Sequence, residues 1–118
     1  INDPGTGIVV IDTATRLLLD WKEERREEVR YDRVFVHRIR PADVLDDVYR
    51  PTARDGAAIL EVMIRLMKSL ETVAECNPAF TKAAHDFARQ TLRRAEAARK
   101  LDDDFEVLKK VADWVEPA

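Results

Sequence analysis

The amino-acid sequence predicts a mainly α-helical protein, a bundle of about four to five helices with one short β-strand or hairpin near residues 29–39. Apolar residues recur at three- and four-residue intervals along most of the chain, which is the spacing of one helix face. Glycine is scarce, with 3 among 118 residues, as in long helices. Only residues 34–39 alternate β-branched and aromatic side chains as a strand does. No linker or repeat divides the chain, so we expect a single domain over residues 1–118.

The first predicted helix runs from about Thr6 to Glu28 and follows a turn at residues 3–5. It ends in a mixed charge run, residues 22–28, that is typical of a solvated helix end. Its expected buried stripe consists of Gly7, Ile11, Ala14, Leu18 and Trp21, with Val10 and Leu17 alongside. Three apolar residues lie off that stripe and predict either a second buried side or a contact with a partner: Ile8, Val9 and Leu19.

Two further helices are predicted on either side of a break at residues 54–56. Pro41 opens the first of them at a favoured first-turn position, and Pro51 kinks or ends it. Asp55 is expected to N-cap the long central helix, which runs to about Glu75. The apolar stripe of the central helix consists of Ile59, Leu60, Met63, Leu66, Met67, Leu70, Val73 and Ala74.

The last two predicted helices complete the bundle. Asn77 is the expected N-cap, and Pro78 a first-turn residue, of a helix that runs to about Lys100. Its apolar line is mostly alanine, so we expect its backbone to approach the central helix closely, as in an antiparallel hairpin. Asp102 is expected to cap the final helix. The apolar residues expected on the inside of that helix are Phe105, Leu108, Val111, Ala112 and Val115.

Composition limits the classes of function. With 20 basic and 23 acidic residues, the chain has a net charge of −3 and carries no basic footprint for nucleic acid. Hydrophobic residues make up 46% and charged residues 36%, a balance that fits a small folded domain and excludes disorder. A single cysteine excludes an internal disulfide, and no apolar run reaches the roughly 18–20 residues of a membrane span. We therefore expect a soluble domain.

Residues that commonly carry catalysis do not form a recognisable set. His37 and His85 have no ligand or base at helical spacing, and the only serine, Ser69, lies mid-helix without a glycine elbow. The acidic run at residues 102–104 fits a helix start better than a metal-binding loop. A basic stretch over residues 89–100 fits a solvated helix face, with contact to anionic headgroups as the alternative. We expect no enzyme activity, no bound metal and no cofactor.

One segment is a candidate ligand-binding site, because backbone amides at a helix start can bind a phosphate or a carboxylate. The residues of this site are Asn2, Asp3, Gly5, Thr6 and Gly7. His37, Arg38 or Arg54 would approach the anion in the fold. The alternative is a turn followed by a helix cap, and since no lysine follows the glycines, the segment is not a P-loop.

The first seven residues, Ile-Asn-Asp-Pro-Gly-Thr-Gly, with Ile8 and Ile11-Asp12 behind them, resemble a signature of a bacterial family of predicted inner-membrane proteins of unknown function. In that family an Ile-Asn-Asp-Pro-x-Thr-Ala segment follows the membrane-spanning part, and Gly7 here replaces the usual alanine. The later elements are similar in layout. The resemblance implies several transmembrane helices upstream of Ile1, and that the chain is the C-terminal soluble region excised from a larger membrane protein. It implies no assigned activity.

Two functions are consistent with these observations. The first is a non-enzymatic, cytoplasm-facing regulatory or assembly domain of an integral protein of the inner membrane. Its expected partners are the transmembrane region of the same polypeptide and further copies in a homo-oligomer, and no nucleic acid. The residues expected at a self-association surface are Ile8, Val9, Leu19, Val62 and Ile64. The alternative is a small-anion-binding sensor that uses the helix start at Gly5–Ile8.

Overall fold

The computed structural model describes residues 4–21 and 40–117. Every element in those two stretches is helical, which confirms the predicted class. The elements are α1 (Pro4–Leu19), α2 (Pro41–Asp55), α3 (Leu60–Cys76), a 3-10 turn (Pro78–Phe80), α4 (Thr81–Ala98) and α5 (Asp102–Val111). The strand or hairpin predicted near residues 29–39 lies outside the described residues.

Helix α1 begins two residues earlier than expected, since Pro4 is suited to a first turn where its missing N–H needs no partner. Four residues of the predicted stripe form its buried side, Gly7, Ile11, Ala14 and Leu18, whereas Val10 and Leu17, expected beside them, are exposed. The first helix was predicted to run without a break to about Glu28. That prediction was wrong, because α1 ends at Leu19 and the next two residues are not helical. Trp21 lies beyond the helix, partly exposed, with its ring edge-on to Phe80 at 6.1 Å between centroids.

Helix α2 continues through Pro51 to Asp55, so of the two effects predicted for this proline, a kink or a helix end, the helix end was wrong. Pro51 lies on the exposed side of α2. Because proline has no N–H, the carbonyl oxygen one turn earlier accepts no helix hydrogen bond, but on this side it can bind water instead. Asp55 is the last residue of α2 and does not cap α3, which is preceded instead by the extended backbone of Ile59. Gly56 closes α2 by donating its N–H to the Thr52 carbonyl at 2.8 Å.

Helix α3 forms the centre of the bundle, and α1, α4 and α5 all pack on it. Its core residues include the predicted Met63, Leu66, Met67, Leu70 and Val73. Val62 is also completely buried, so its assignment to a self-association surface was wrong. Ile64, from the same expected set, is partly buried and packs against the core. Both residues contribute to packing because three helices surround α3.

The predicted joint at Asn77 is confirmed, since its side-chain oxygen accepts a hydrogen bond from the Ala79 N–H at 3.3 Å. The following turn is 3-10 before α4 begins. In α5 the predicted cap was wrong: Leu101 precedes the helix without a capping side chain, and Asp102 instead accepts a hydrogen bond from Arg99 at 2.8 Å. The alanines expected against α3 are buried in α4, and they are Ala84, Ala88 and Ala95.

Helices α1 and α3 run in the same direction. Asp12 lies near Arg65, and three residues further along α1, Thr15 contacts Ser69. The contacts therefore advance together along both helices. This parallel arrangement brings one polar flank of α1 against one polar flank of α3, and a cleft forms between them.

Candidate functional site

The predicted anion site at the start of α1 is only partly described. Asn2 and Asp3 lie outside the described residues, whereas Gly5 and Thr6 are exposed in the first turn and Gly7 is buried in the core-facing stripe. Of the basic residues expected nearby, His37 and Arg38 are likewise outside the described residues. Arg54 is described and exposed, and its Nε lies 3.2 Å from Asp55 Oδ1. This hydrogen bond holds the pKa of the Asp55 carboxyl below its ordinary value.

A second feature of α1 is its outer face, which we define as Val9, Val10, Thr13 and Leu17. At 100° per residue these side chains fall within about 100° of arc, centred about 120° around the helix from the buried stripe. Val9 is 63% exposed and Leu17 67% exposed. Thr13 donates its hydroxyl to the Val9 carbonyl at 2.9 Å, so its own hydrogen-bond donor is used inside the helix. The outer face thus presents an uncharged, largely apolar surface to solvent.

The third feature is the α1–α3 cleft, a groove of about 280 Å³. Its lining consists of Asp12, Thr15, Arg16, Arg65, Lys68, Ser69 and Thr72. All of these side chains are polar, and three of the seven are basic. The cleft lies on the flank of α1 next to the outer face, so one helix carries an apolar surface and a charged one side by side.

A chain of buried hydroxyl groups lies beneath the cleft. Tyr49 Oη is 2.6 Å from Ser69 Oγ, and Ser69 Oγ is 2.5 Å from Thr15 Oγ1. Thr15 donates its proton to the Ile11 carbonyl at 2.8 Å. Because each hydroxyl has one proton to donate, Ser69 must donate to Thr15 and Tyr49 must donate to Ser69. The chain therefore runs in one direction, from α2 through α3 to α1, and ties the three helices together.

Tyr49 is the buried end of this chain, at 1% exposure. Burial raises the pKa of its phenol above the ordinary value, and the neighbouring Ser69 and Thr15 hydroxyl groups oppose that rise in part. The phenol is therefore neutral and remains a donor throughout the physiological pH range. Ser69, mid-helix as predicted, thus has a structural hydrogen-bond role.

The charges at the mouth of the cleft are incompletely paired. Arg65 Nη1 is 3.8 Å from Asp12 Oδ1, a long contact between half-exposed groups. No carboxylate within the described residues lies within 4 Å of the guanidinium of Arg16 or the ammonium of Lys68. By contrast, Arg99 at the α4–α5 junction pairs with Asp102 at 2.8 Å, and Arg89 bonds to Asp86. The cleft therefore brings together two basic side chains, Arg16 and Lys68, that no carboxylate of the described residues pairs.

Sequence reasoning missed the cleft although its signal is present. Asp12, Thr15 and Arg16 recur at helical spacing on α1, and residues 65, 68, 69 and 72 do so on α3. Taken one helix at a time, each of these series is the pattern of a solvated helix flank. Only the parallel packing of α1 on α3 shows that the two flanks face each other.

The described residues contain no cluster of three or more histidine, cysteine, aspartate or glutamate side chains placed to hold a metal ion. Within residues 4–21 and 40–117, none of the helices combines the length and the apolar character that crossing a bilayer requires. No curated protein and no solved structure matches the chain. A family profile does match, over residues 1–72 of the 118, and its description is a predicted membrane protein. The chain therefore belongs to the DUF2254 family of predicted membrane proteins, whose function is unknown.

Proposed function

We propose that this chain is a non-enzymatic regulatory or assembly domain of an integral inner-membrane protein and that it faces the cytoplasm. Membership of a family of predicted membrane proteins supports the membrane association. The observation that carries the assembly role is the outer face of α1. Val9 and Leu17 are both more than 60% exposed on one side of one helix, and contiguous exposed apolar residues of this kind mark interaction surfaces.

The partner that we propose for the outer face is a second copy of the same chain, in a homo-oligomer held next to the membrane-spanning part of the polypeptide. A symmetric contact needs one self-complementary patch, and the uncharged row Val9, Thr13 and Leu17 can pack against its own copy along the helix axis. Of the residues expected at a self-association surface, Val9 lies in the outer face, whereas the partly exposed Leu19 lies on the flank of α1 that carries Asp12.

Membrane orientation is tested with Cys76, which is the only cysteine of the chain and is exposed at the end of α3. The product of the complete gene is labelled with a membrane-impermeant maleimide, in intact spheroplasts and in inverted membrane vesicles. The peptide that contains Cys76 should be labelled only in inverted vesicles. The Cys76→Ser variant is the control. Labelling of that peptide in intact spheroplasts contradicts the cytoplasmic placement, and loss of the protein from the membrane fraction in alkaline carbonate contradicts integral membrane association.

Assembly is tested by sedimentation of the 118-residue chain over a wide concentration range. We expect reversible self-association that Leu17→Gln weakens by about tenfold or more, because burying a leucine side chain stabilises a contact by about 1.5–3 kcal/mol. The matched control is Leu101→Gln, since Leu101 is 62% exposed at a position away from the outer face. A strict monomer at millimolar concentration contradicts the assembly role, as does an equal effect of the two variants.

A further inference from the structure

We propose that the α1–α3 cleft binds a small phosphate ester that carries hydroxyl groups, such as a glycerol phosphate, either free or as a lipid headgroup. This site lies two to three turns along α1 from the helix start at Gly5–Ile8 and uses none of those residues. It is independent of the assembly role of the outer face.

The charge of the cleft favours an anion. Arg16, Arg65 and Lys68 line it together with a single carboxylate, that of Asp12, so it has an excess of positive charge in a chain whose net charge is −3. The Asp12 carboxylate lies 3.8 Å from Arg65 and does not engage Arg16 or Lys68 within the described residues. Guanidinium and ammonium groups left without a carboxylate are the donors that phosphate oxygens use in proteins.

The remaining lining explains why the ligand should carry hydroxyl groups. The hydroxyl protons around the cleft are already donated: that of Thr15 to the Ile11 carbonyl, that of Ser69 to Thr15, and that of Thr72 to the Lys68 carbonyl at 3.0 Å. These oxygens can therefore accept hydrogen bonds but not donate them. The Asp12 carboxylate is also an acceptor. A ligand with both an anionic group and hydroxyl donors would therefore pair with the basic side chains of the cleft and with its acceptor oxygens.

The size of the cleft agrees with such a ligand. Its volume of about 280 Å³ is just below the range of roughly 300–1,000 Å³ that is typical of small-molecule sites. The floor is rigid, because Ser69 is 5% exposed and Tyr49 is 1% exposed, and both belong to the hydroxyl chain. Two other grooves in the described part of the chain have fewer basic side chains without a carboxylate partner. The groove near α5 has Lys100 beside Arg99, which pairs with Asp102, and the groove beside His85 has Lys82 beside Arg89, which is bonded to Asp86 and to the Glu116 carbonyl.

The test is an NMR titration of the 118-residue chain at constant ionic strength with inorganic phosphate and with glycerol 1-phosphate. We expect saturable shifts of the amide signals of α1 and α3 around the cleft, and a lower Kd for glycerol 1-phosphate. Arg16→Gln and Lys68→Gln should each raise the Kd about tenfold, the loss expected for one charge-assisted hydrogen bond. The control is Arg94→Gln, which removes one charge from an exposed position on α4 and should leave the Kd unchanged.

A second arm separates the two sources of the phosphate ester. Sedimentation with phosphatidylcholine vesicles, with and without phosphatidylglycerol, is compared for the unmodified chain, Lys68→Gln and Arg94→Gln. Binding of glycerol 1-phosphate in solution supports a free ligand, and binding only to phosphatidylglycerol vesicles that Lys68→Gln weakens supports a headgroup. The proposal is overturned by equal Kd values for phosphate and glycerol 1-phosphate, by equal losses in Lys68→Gln and Arg94→Gln, or by no binding in either arm.

Discussion

The amide of Asn77 joins two distant parts of the chain, and its removal is the perturbation we expect to be most informative. Its Nδ2 donates to the Leu18 carbonyl at 2.9 Å and to the Trp21 carbonyl at 3.0 Å, at the end of α1. Its Oδ1 accepts from the Ala79 N–H. The residue is 7% exposed, so water cannot easily replace these bonds. Asn77 therefore caps the end of one helix and the start of the next turn.

The expected loss in Asn77→Ala follows from these contacts. Two donated hydrogen bonds contribute about 0.5–1.5 kcal/mol each, and an N-cap contributes about 1 kcal/mol. The free energy of unfolding should therefore fall by about 2–4 kcal/mol, a large part of the roughly 5–15 kcal/mol typical of a domain. For a chain of this size, at about 4 °C per kcal/mol, Tm should fall by roughly 8–16 °C. Urea denaturation followed by circular dichroism measures the free energy directly.

Asn77→Asp is the matched variant, because it keeps the shape and the acceptor oxygen but removes both donors. At neutral pH its carboxylate would face two carbonyl oxygens, so it should be at least as destabilised as Asn77→Ala. At lower pH the carboxyl group binds a proton and regains one donor, and its deficit relative to the unmodified chain should narrow. A loss below about 1 kcal/mol in Asn77→Ala, or an Asn77→Asp variant as stable as the unmodified chain at pH 7, would refute the assignment of this amide as the joint.

Two other substitutions probe the core. Burial raises the pKa of Tyr49, so the folded chain keeps the phenol proton while the unfolded chain ionises near pH 10, and the free energy of unfolding should fall as pH rises above that value. In Tyr49→Phe this part of the fall should vanish, and the free energy of unfolding at neutral pH should be about 1 kcal/mol lower than in the unmodified chain. Urea denaturation at pH 8–11 measures the free energy of unfolding of both chains. An equal dependence on pH in the two chains would contradict the prediction. In Gly56→Ala the new Cβ would lie 2.6 Å from Val62 Cγ1 and 2.9 Å from the Thr52 carbonyl oxygen, so we expect a loss of about 1–3 kcal/mol in thermal unfolding. A Gly56→Ala chain as stable as the original would show that α2 and α3 can separate there freely.

The helices were predictable from the sequence because their apolar spacing is regular. Most residues of the predicted stripes of α1 and α3 are buried, although Trp21 is exposed and Val62 is an unpredicted core residue, and Asn77 caps the joint as expected. The errors share a cause: local chemistry was given more weight than packing. Pro51 and Asp55 are breaker and cap residues by type, yet α2 continues over both because its inner side, including Tyr49 and Ala53, is held in the core.

The candidate site was less predictable than the fold. The helix-start segment was identified by its glycines, which are local signals, and its binding role stays a prediction. The cleft depends on which flank of α1 meets which flank of α3, and nothing within either helix specifies that pairing. The outer face was predicted in part: Val9 was expected to meet a partner, but Leu17 was expected alongside the buried stripe, and Val62, expected at the same surface as Val9, is buried.

The parallel packing of α1 on α3 has a consequence for the order of folding. Thr15 and Ser69 are 54 residues apart in the chain, and Asn77 and Leu18 are 59 apart. Closing a loop of that length costs about 3.5 kcal/mol of chain entropy, whereas α3, α4 and α5 follow one another and can pack through short connections. The hairpin of α3 and α4 should therefore form first and α1 should dock last. The same order in reverse makes α1 the first helix to detach, so a single local opening would carry the exposed outer face away from the bundle and take the polar cleft apart.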